Sequence, residues 1–220
     1  MGEQVGKRFF SGIHAKVLVC LAVVLTVVLA VAFAGGLVRT KQQGIAAASE
    51  KSTALAQQMD SLWDYLELHQ NAVPSNGAEA DAPVVSDENG SICIISVKSV
   101  AERFSNASTS TIRYTSLRPR NTEDAPDEFE RLAMELFQKD PTAISYEAVS
   151  PSALGEERYR CVQPLWVEDS CLPCHGQPAG ELDSLGYPKE GYELGDLVGA
   201  ISITTPMADF YRTSWQTVFG

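Results

Sequence analysis

An uncharged apolar run near the N-terminus constrains this chain more than any other feature. Residues 17–38, VLVCLAVVLTVVLAVAFAGGLV, contain no charged side chain over 22 positions. At about 1.5 Å per residue, a helix of this length crosses roughly 30 Å of hydrocarbon. Basic residues stand on both sides of the run, at Lys7, Arg8, Lys16, Arg39 and Lys41. We therefore expect a basic cytoplasmic N-terminus at 1–16 and a transmembrane helix at 17–38.

The end of this run also resembles a cleavage site. Ala32, Phe33 and Ala34 have the small-residue pattern found where secretory signal peptides are removed. A signal peptide has an apolar core of roughly 7–15 residues, whereas this run has 22. An uncleaved, single-pass anchor in the cell membrane is therefore favoured over a removed signal. In both cases we expect the rest of the chain on the extracytoplasmic side, periplasmic or extracellular.

Charge and length limit the functions open to the exported part. The chain has 220 residues and a formal net charge of −11, so it offers no basic surface to the phosphates of a nucleic acid. Roughly 180 residues remain after the membrane run, enough for one domain with its own core. Residues 39–73 place Leu55, Met59, Leu62 and Leu66 at three- and four-residue steps. This spacing predicts a long exported helix that continues from the membrane run.

The remaining sequence alternates between strand and helix patterns. Residues 92–104 suit a strand or a helix, and their spacing favours the helix. A second helix is predicted from Asp124 as its N-cap, with Pro126 in its first turn, and a final helix begins within 207–220. Strands are predicted at 108–119, 143–150, 157–167 and 196–206. No crossover helix of about ten residues separates most of these strands, so the predicted fold class is α+β with an antiparallel sheet.

Cys171, Cys174 and His175 form a Cys-x-x-Cys-His motif, the attachment signature of c-type haem. The spacing lets two thiols reach the two haem vinyl groups while the next residue offers its imidazole to the iron. We therefore predict one covalent haem c per chain, with His175 as the proximal ligand. Haem c is attached outside the cytoplasmic membrane, so the predicted export agrees with this interpretation.

Three other interpretations of the motif are weaker. A zinc site needs about four nitrogen or sulfur ligands, and the chain has neither a second CxxC nor a histidine pair. A redox dithiol is expected at the start of a helix in a βαβ unit, whereas this motif follows an antiparallel strand. Disulfides among the four cysteines outside the membrane run are compatible with export, but they give His175 no role.

The other face of the iron has several candidate ligands. His14 lies at the cytoplasmic end of the membrane run, so His69 is the remaining histidine. Cys93 and Cys161 are thiolate candidates, and a thiolate ligand donates electron density to haem iron. Core packing is enough to explain the methionine candidates Met59, Met134 and Met207.

Three stretches in order resemble a family of exported haem-c domains with a PAS-like fold. Members occur alone or in front of membrane histidine kinases and cyclases, and a cyanobacterial member defines the structure. The stretches are RNTEDAPDEFE at 120–130, YRCVQPLWVEDSCLPCHG at 159–176 and GDLVGAISITTP at 195–206. The resemblance implies a PAS-like antiparallel sheet with flanking helices at 91–206, behind the membrane helix and the exported helix.

The resemblance also implies the sixth ligand. In the family it is a cysteine on a helix, seven and eight residues before an Ile-Ala-like pair. Cys93 stands in this position relative to Val100 and Ala101. The family usually has Ala-Pro between them, where this chain has Val97 and Lys98. The implied iron ligands are therefore His175 and Cys93.

Three arginines, Arg113, Arg118 and Arg120, cluster near the first of these stretches. A planar guanidinium suits a haem propionate, and Arg120 is the best candidate for that contact. Surface ion pairs explain the cluster equally well, with partners among Glu123, Asp127 and Glu128. Tyr114 and Trp166 are expected to pack near the haem plane.

A haem with both axial positions filled, and no acid–base constellation, suits sensing better than catalysis. We expect a redox sensor, or a sensor of CO, NO or O2, and not an enzyme. A change at Cys93 would pass through the flanking helices to a signalling partner at the membrane, and the long helix allows a homodimer. The alternatives are a membrane-anchored, low-potential electron-transfer cytochrome with a redox partner protein, and a PAS-like binding module without haem.

Overall fold

A single long helix, α1, forms the N-terminal part of the structure, a computed structural model that describes residues 12–69, 94–152, 154–183 and 186–219. Helix α1 runs from Ile13 to His69, so the predicted membrane helix and exported helix form one element. Its large apolar side chains between Val17 and Val38 are exposed. Within the described residues, α1 is the one helix long and apolar enough to cross a membrane. A signal sequence near an N-terminus has the same properties, so this finding alone is weak evidence for an anchor.

The described residues divide into two compact units. One unit holds the described residues up to Gly44 and those from Phe210 onward, and the other is Ile45–Asp209. The second unit contains the sheet and the candidate site. The domain boundaries predicted at 38, 73, 91 and 206 remain predictions. Residues 70–93, with the predicted acidic loop and Cys93, lie outside the described residues.

An antiparallel sheet organises the second unit. Its strands are β1 (Thr111–Thr115), β2 (Tyr146–Pro151), β3 (Glu157–Trp166) and β4 (Leu197–Pro206). Their order in space is β1-β4-β3-β2, so the first strand pairs with the last, with Ile112 opposite Ile203. The predicted α+β class with an antiparallel sheet is confirmed. Strand β1 is shorter than predicted because the side chains of Ser108 and Ser116 accept turn hydrogen bonds at its two ends.

Helices cover both faces of this sheet. Two of them are α2 (Ile94–Ala107) and α3 (Glu128–Lys139), and α2 confirms the helix favoured at 92–104. Successive strand residues point to opposite faces. Ile201 therefore packs in one cluster with Met59 of α1 and Val97 of α2. Its neighbour Ala200 packs against Phe137 of α3 on the other face.

The N-cap of α3 is Asp127, so the predicted cap at Asp124 is wrong. The Asp127 carboxylate accepts a hydrogen bond from the Glu130 N–H over 2.9 Å, and the Glu130 carboxylate accepts one from the Asp127 N–H over 3.0 Å. Pro126 explains the difference, because it keeps Ala125 out of the helical region (ψ 137°). Asp124 closes a short 3₁₀ turn instead, and Pro126 lies before the helix.

Candidate functional site

The Cys-x-x-Cys-His motif forms one helical turn in the connection between β3 and β4. A 3₁₀ turn at Asp169–Cys171 leads into α4 (Leu172–His175). Pro173 suits this first turn, where its missing N–H has no helical partner to lose. The turn ends at Gly176, whose N–H donates to the Leu172 carbonyl over 2.8 Å. Cys171 is a free thiol, so the two cysteines of the motif are not joined to each other.

One cavity of about 370 Å³ brings the motif together with α1, α2 and the sheet. Cys171, Cys174 and His175 all line it. The remaining walls are largely apolar and aromatic, and include Trp63, Leu66, Val97, Tyr114, Leu165 and Trp166. Ligand sites span roughly 300–1,000 Å³ and have linings of this kind. Both aromatic residues singled out from the sequence, Tyr114 and Trp166, thus face the site.

Helix α1 gives this cavity an acidic wall, formed by Asp60, Asp64 and Glu67. Partial burial raises the pKa of Asp60, and the neighbouring Asp64 adds to the effect. Burial also raises the pKa of the Tyr114 phenol, assisted by the charge of Asp60. Tyr114 therefore stays protonated at physiological pH. The carboxylates of α1 would repel a ligand's carboxylates from this side of the cavity.

A smaller cavity of about 140 Å³ adjoins the first one. The residues that line both cavities are Tyr114, Leu165, His175 and Val198. In the described part of the chain, the basic side chains that line either cavity all line the smaller one, and they are Lys98, Arg118 and Arg120. The Arg118 guanidinium lies 3.9 Å from the centre of the Tyr192 ring. Two carboxylates also line the smaller cavity, Asp124 paired with Lys98 and Glu190 paired with Arg120. Three cations against two carboxylates leave this cavity weakly basic, whereas α1 makes the larger one acidic.

Glu190 holds the imidazole of His175. Nδ1 of His175 lies 2.7 Å from Oε2 of Glu190. Burial alone would raise the pKa of Glu190, but the hydrogen bonds from Arg120 and His175 outweigh it and hold the pKa below its ordinary value. Glu190 is therefore an ionised acceptor, and we assign the imidazole proton to Nδ1. Nε2 is then the ring nitrogen with a free lone pair.

Arg120 fixes Glu190 from the other side. Its Nε and Nη2 donate to the two oxygens of Glu190 over 2.5 and 3.0 Å. Its Nη1 donates to Asp183 over 2.6 Å, and Nη2 also donates to the Cys174 carbonyl over 2.6 Å. Burial lowers the pKa of Arg120, but the bonds to Glu190 and Asp183 outweigh it and raise the pKa. The predicted contact with a haem propionate stays a prediction, while the structure gives Arg120 protein partners at the motif itself.

Arg113 lies in β1, and its side chain reaches the start of α3. It does not line either cavity. Its Nη2 donates to the carbonyls of Glu123 and Ala125 over 3.1 and 2.8 Å. Its Nη1 lies 3.7 Å from the buried carboxylate of Glu130. Arg113 thus stabilises the 3₁₀ turn and the helix cap.

The candidates for the sixth ligand differ in their position relative to the larger cavity. Cys93 lies outside the described residues, but α2 begins at the next residue, and Val97 of α2 lines the larger cavity. His69 ends α1, and its side chain lies outside the described part. Cys161 is fully buried, and burial, followed by the nearby Glu147, raises the pKa of its thiol to about 12. The candidate methionines are buried and do not line the cavity: Met59, Met134 and Met207.

Comparison with known proteins identifies the family of this chain. A family model described as Tll0287-like matches residues 41–206. The chain belongs to the Tll0287-like family. A solved structure, described as the crystal structure of the cyanobacterial heme-protein Tll0287, matches with a TM-score of 0.54 and 18% identity. The match covers 71% of this chain and 93% of that one. Comparison with curated proteins found no match.

The Tll0287-like match confirms two predictions. The family inferred from the three ordered stretches is confirmed, since the matching family model spans all three stretches. The PAS-like α+β fold with flanking helices is also confirmed. At 18% identity the structural match shows the shared fold, so site chemistry rests on this chain's own residues.

Glu190 and Asp183 were not identified from the sequence. Both lie in the Gly-, Pro- and acid-rich loop after the motif, which has no periodicity to place side chains. A partial signal was present, because a histidine ligand usually donates its second ring N–H to a carboxylate or carbonyl. That requirement directs attention to the acidic residues of this loop, although it does not choose among them.

Proposed function

We propose that this chain binds one haem c in the larger cavity, through thioether bonds at Cys171 and Cys174 and with His175 as the proximal ligand. The observation that supports this most is that both thiols and the imidazole line one cavity with apolar and aromatic walls. The family member with a solved structure is described as a heme-protein, which agrees with the proposal. When bound, the haem supplies an iron that exchanges one electron and can take a diatomic ligand.

The charges around the two cavities indicate where the haem propionates belong. Asp60 and Asp64 on the α1 wall would repel them, whereas Lys98 and Arg118 line the adjoining smaller cavity. A guanidinium pairs with a carboxylate through two parallel hydrogen bonds. We therefore place the propionates on the side of Lys98 and Arg118, with Arg120 behind them.

We propose Cys93 as the sixth ligand. It immediately precedes α2, and Val97, four positions further on, lines the cavity. Residues four apart in a helix share a face, so an α2 extended by one residue would present Cys93 to the same cavity. His69 is the competing candidate, because the last turns of α1 also line the cavity.

Spectra of single variants test the haem and its ligands. The full-length protein, produced with a haem c attachment system and purified in detergent, is expected to give a haemochrome spectrum typical of two thioether bonds. Cys93→Ala is expected to abolish the six-coordinate low-spin ferric spectrum. The matched control Cys161→Ala removes a thiol that does not line the cavity and should leave the spectrum unchanged.

Two results would contradict these assignments. If the wild-type protein gave no haemochrome, the haem proposal would fail. If Cys93→Ala left the spectrum unchanged and His69→Ala altered it, His69 would be the sixth ligand.

We propose that the domain acts as a sensor of redox state or of CO, NO or O2, and not as an enzyme. Helix α2 supports this proposal. Val97 lines the cavity, Ala101 packs in the core cluster that includes α1, and the Ser105 hydroxyl hydrogen bonds both the N–H and the carbonyl of Ile112 in β1. If Cys93 were released from the iron, a displacement of α2 would therefore be passed to both α1 and the sheet. A partner protein at the membrane, or a second copy of the chain, would receive the signal through α1.

An electron-transfer cytochrome is the second candidate, because Cys171, Cys174 and His175 are only half-buried. A surface-exposed haem edge suits exchange with a redox partner. Binding of CO or NO to the ferrous protein with loss of the Cys93 ligand, together with faster hydrogen exchange in α2, would favour the sensor. Rapid electron exchange with both axial ligands retained would favour the carrier.

A further inference from the structure

We propose that Glu190 is a positioning residue that makes His175 a stronger electron donor and thereby lowers the reduction potential of the bound iron. This inference rests on the proposed function, since it concerns the proximal ligand of the proposed haem. It assigns a role to a loop residue that lies 15 positions after the motif and does not line the larger cavity.

The geometry of the contact supports this role. His175 Nδ1–H donates to the Glu190 carboxylate over 2.7 Å, which leaves Nε2 free to bind a metal. A carboxylate on the second ring nitrogen fixes the ring orientation and raises the basicity of the ligand. A more basic ligand stabilises the ferric state relative to the ferrous state, so the potential falls.

The burial and charge of the network strengthen the effect. The Glu190 side chain is 13% exposed, and the side chains of Arg120 and Asp183 are 25% and 0% exposed. The Glu190 carboxylate therefore lies against His175 at a place where water screens its charge weakly. Arg120 contacts Glu190 with two nitrogens, which holds the acceptor in place.

The loop has other contacts that keep it folded without the Glu190 carboxylate. The Tyr192 N–H donates to the His175 carbonyl over 2.9 Å, and the Gly180 N–H donates to the Lys189 carbonyl over 2.9 Å. The Gln177 side chain donates to the Gly191 carbonyl over 2.7 Å. Substitution of Glu190 is therefore a usable test of its electronic role.

Redox titration of the full-length holoprotein in detergent tests the inference. Glu190→Gln keeps an acceptor but removes the charge, and we expect it to shift the ferric-to-ferrous ratio at a fixed potential about tenfold toward ferrous iron. A tenfold change corresponds to about 59 mV for one electron. Glu193→Gln is the matched control, because it removes an exposed carboxylate of the same loop, and it should shift the ratio by less than about twofold.

Two further readouts separate this role from a structural one. The ferric electron paramagnetic resonance spectrum should change in Glu190→Gln and not in Glu193→Gln, because only the former changes the hydrogen bond to His175, the proposed axial ligand. Arg120→Lys should raise the potential more in the wild-type background than in the Glu190→Gln background, because the part of its effect that passes through Glu190 is already lost in the latter. Its bonds to Asp183 and the Cys174 carbonyl are affected equally in both backgrounds.

Each outcome decides the proposal. Equal potentials in wild type and Glu190→Gln, or equal shifts in Glu190→Gln and Glu193→Gln, would overturn it while leaving haem binding intact. If Glu190→Gln did not accumulate, Glu190→Asp would replace it, because aspartate keeps the charge but moves the carboxylate away from His175 Nδ1. Glu190→Asp should still raise the potential, and an unchanged potential would refute the role of Glu190. Absence of haem from the wild-type protein would instead be a failure of the proposed function.

Discussion

Gly176 determines how the helical turn of the Cys-x-x-Cys-His motif ends. A Cβ atom at this position would lie 2.6 Å from the Leu172 carbonyl oxygen and 3.2 Å from the Leu172 Cα. Both atoms belong to the backbone of the helical turn that holds Cys174 and His175. A side chain at Gly176 can therefore be accommodated only if the turn itself moves.

We expect Gly176→Ala to lower the free energy of unfolding by about 1–3 kcal/mol, the range typical of overpacking, and to make the haem spectrum heterogeneous. Urea unfolding followed at the haem absorption band measures the first effect. Gly35→Ala is the control, because a Cβ at Gly35 meets no atom within 4 Å. A wild-type unfolding midpoint in Gly176→Ala would show that the turn adapts.

The sequence predicted the residues of the site that lie close together in the chain, but not the contacts between residues far apart in it. Cys171, Cys174 and His175 lie within five positions, so their spacing alone indicated the chemistry. The contact of Arg120 with Glu190 joins residues 70 positions apart, and no local pattern encodes such a contact. The sequence therefore indicated His175 but not the residue that orients its imidazole.

At the scale of elements, the capping box of α3 fixes where this helix begins and holds it against the sheet. The Asp127 carboxylate also lies 2.7 Å from Nη2 of Arg160 in β3, with the Asp127 side chain 47% exposed. The box thus combines a helix cap with an ion pair to the neighbouring strand. Burial raises the pKa of Asp127, but the Glu130 N–H and Arg160 outweigh it and lower the pKa.

We expect Asp127→Ala to reduce the free energy of unfolding by about 1 kcal/mol at neutral pH, the usual effect of losing an N-cap. Denaturant unfolding of the full-length protein in detergent measures it. The control Glu128→Gln removes an exposed partner of Arg131 and should change stability clearly less than Asp127→Ala does.

The sign of the pH dependence follows from the lowered pKa of Asp127. A carboxyl group whose pKa is lower in the folded state stabilises the fold above its unfolded pKa, and this stabilisation is lost as the pH falls through the folded pKa. The difference between wild type and Asp127→Ala should therefore be full above about pH 5 and should shrink below the ordinary value of 3.8. A difference that grew on acidification would contradict the role of Asp127.

The pattern of elements was largely predictable from the sequence, while their ends were not. Alternation indicated β1 and apolar spacing indicated α2, because burial of one face imposes these periods. Strand β4 was indicated by its continuous apolar character, which suits its burial on both faces. The start of α3 was placed at Asp124 because an acidic residue before a proline resembles a cap. The D-x-x-E pattern at Asp127 and Glu130 was the better signal, since it describes two reciprocal hydrogen bonds.

At the scale of the whole molecule, the exposed apolar surface of α1 requires a cover. Side chains such as Leu18 and Val31 are each 67% exposed, and contact with water along such a length is strongly unfavourable. A lipid bilayer provides the cover if the segment is retained in the mature protein.

We expect the mature protein to retain residues 17–38, to remain with membranes after alkaline carbonate extraction and to show a mass that includes these residues and one haem. Protease added to cells with a permeable outer layer should cut the domain, which would place it on the extracytoplasmic side. A mature mass corresponding to a start after Ala34, with the protein in the soluble fraction, would instead show a removed signal peptide.

The connection between β3 and β4 has a consequence for how proteins of this architecture diversify. Both of its ends are fixed by the sheet, where Trp166 pairs with Leu197 and the Val167 N–H donates to the Asp196 carbonyl over 2.8 Å. The attachment motif and Glu190 lie wholly between these anchors. Substitutions, insertions or deletions in this segment are therefore expected to alter the proposed site without disturbing the register of the ladder. Replacement of this segment, in evolution or by design, can therefore change the residues of the site while the four-stranded sheet stays the same.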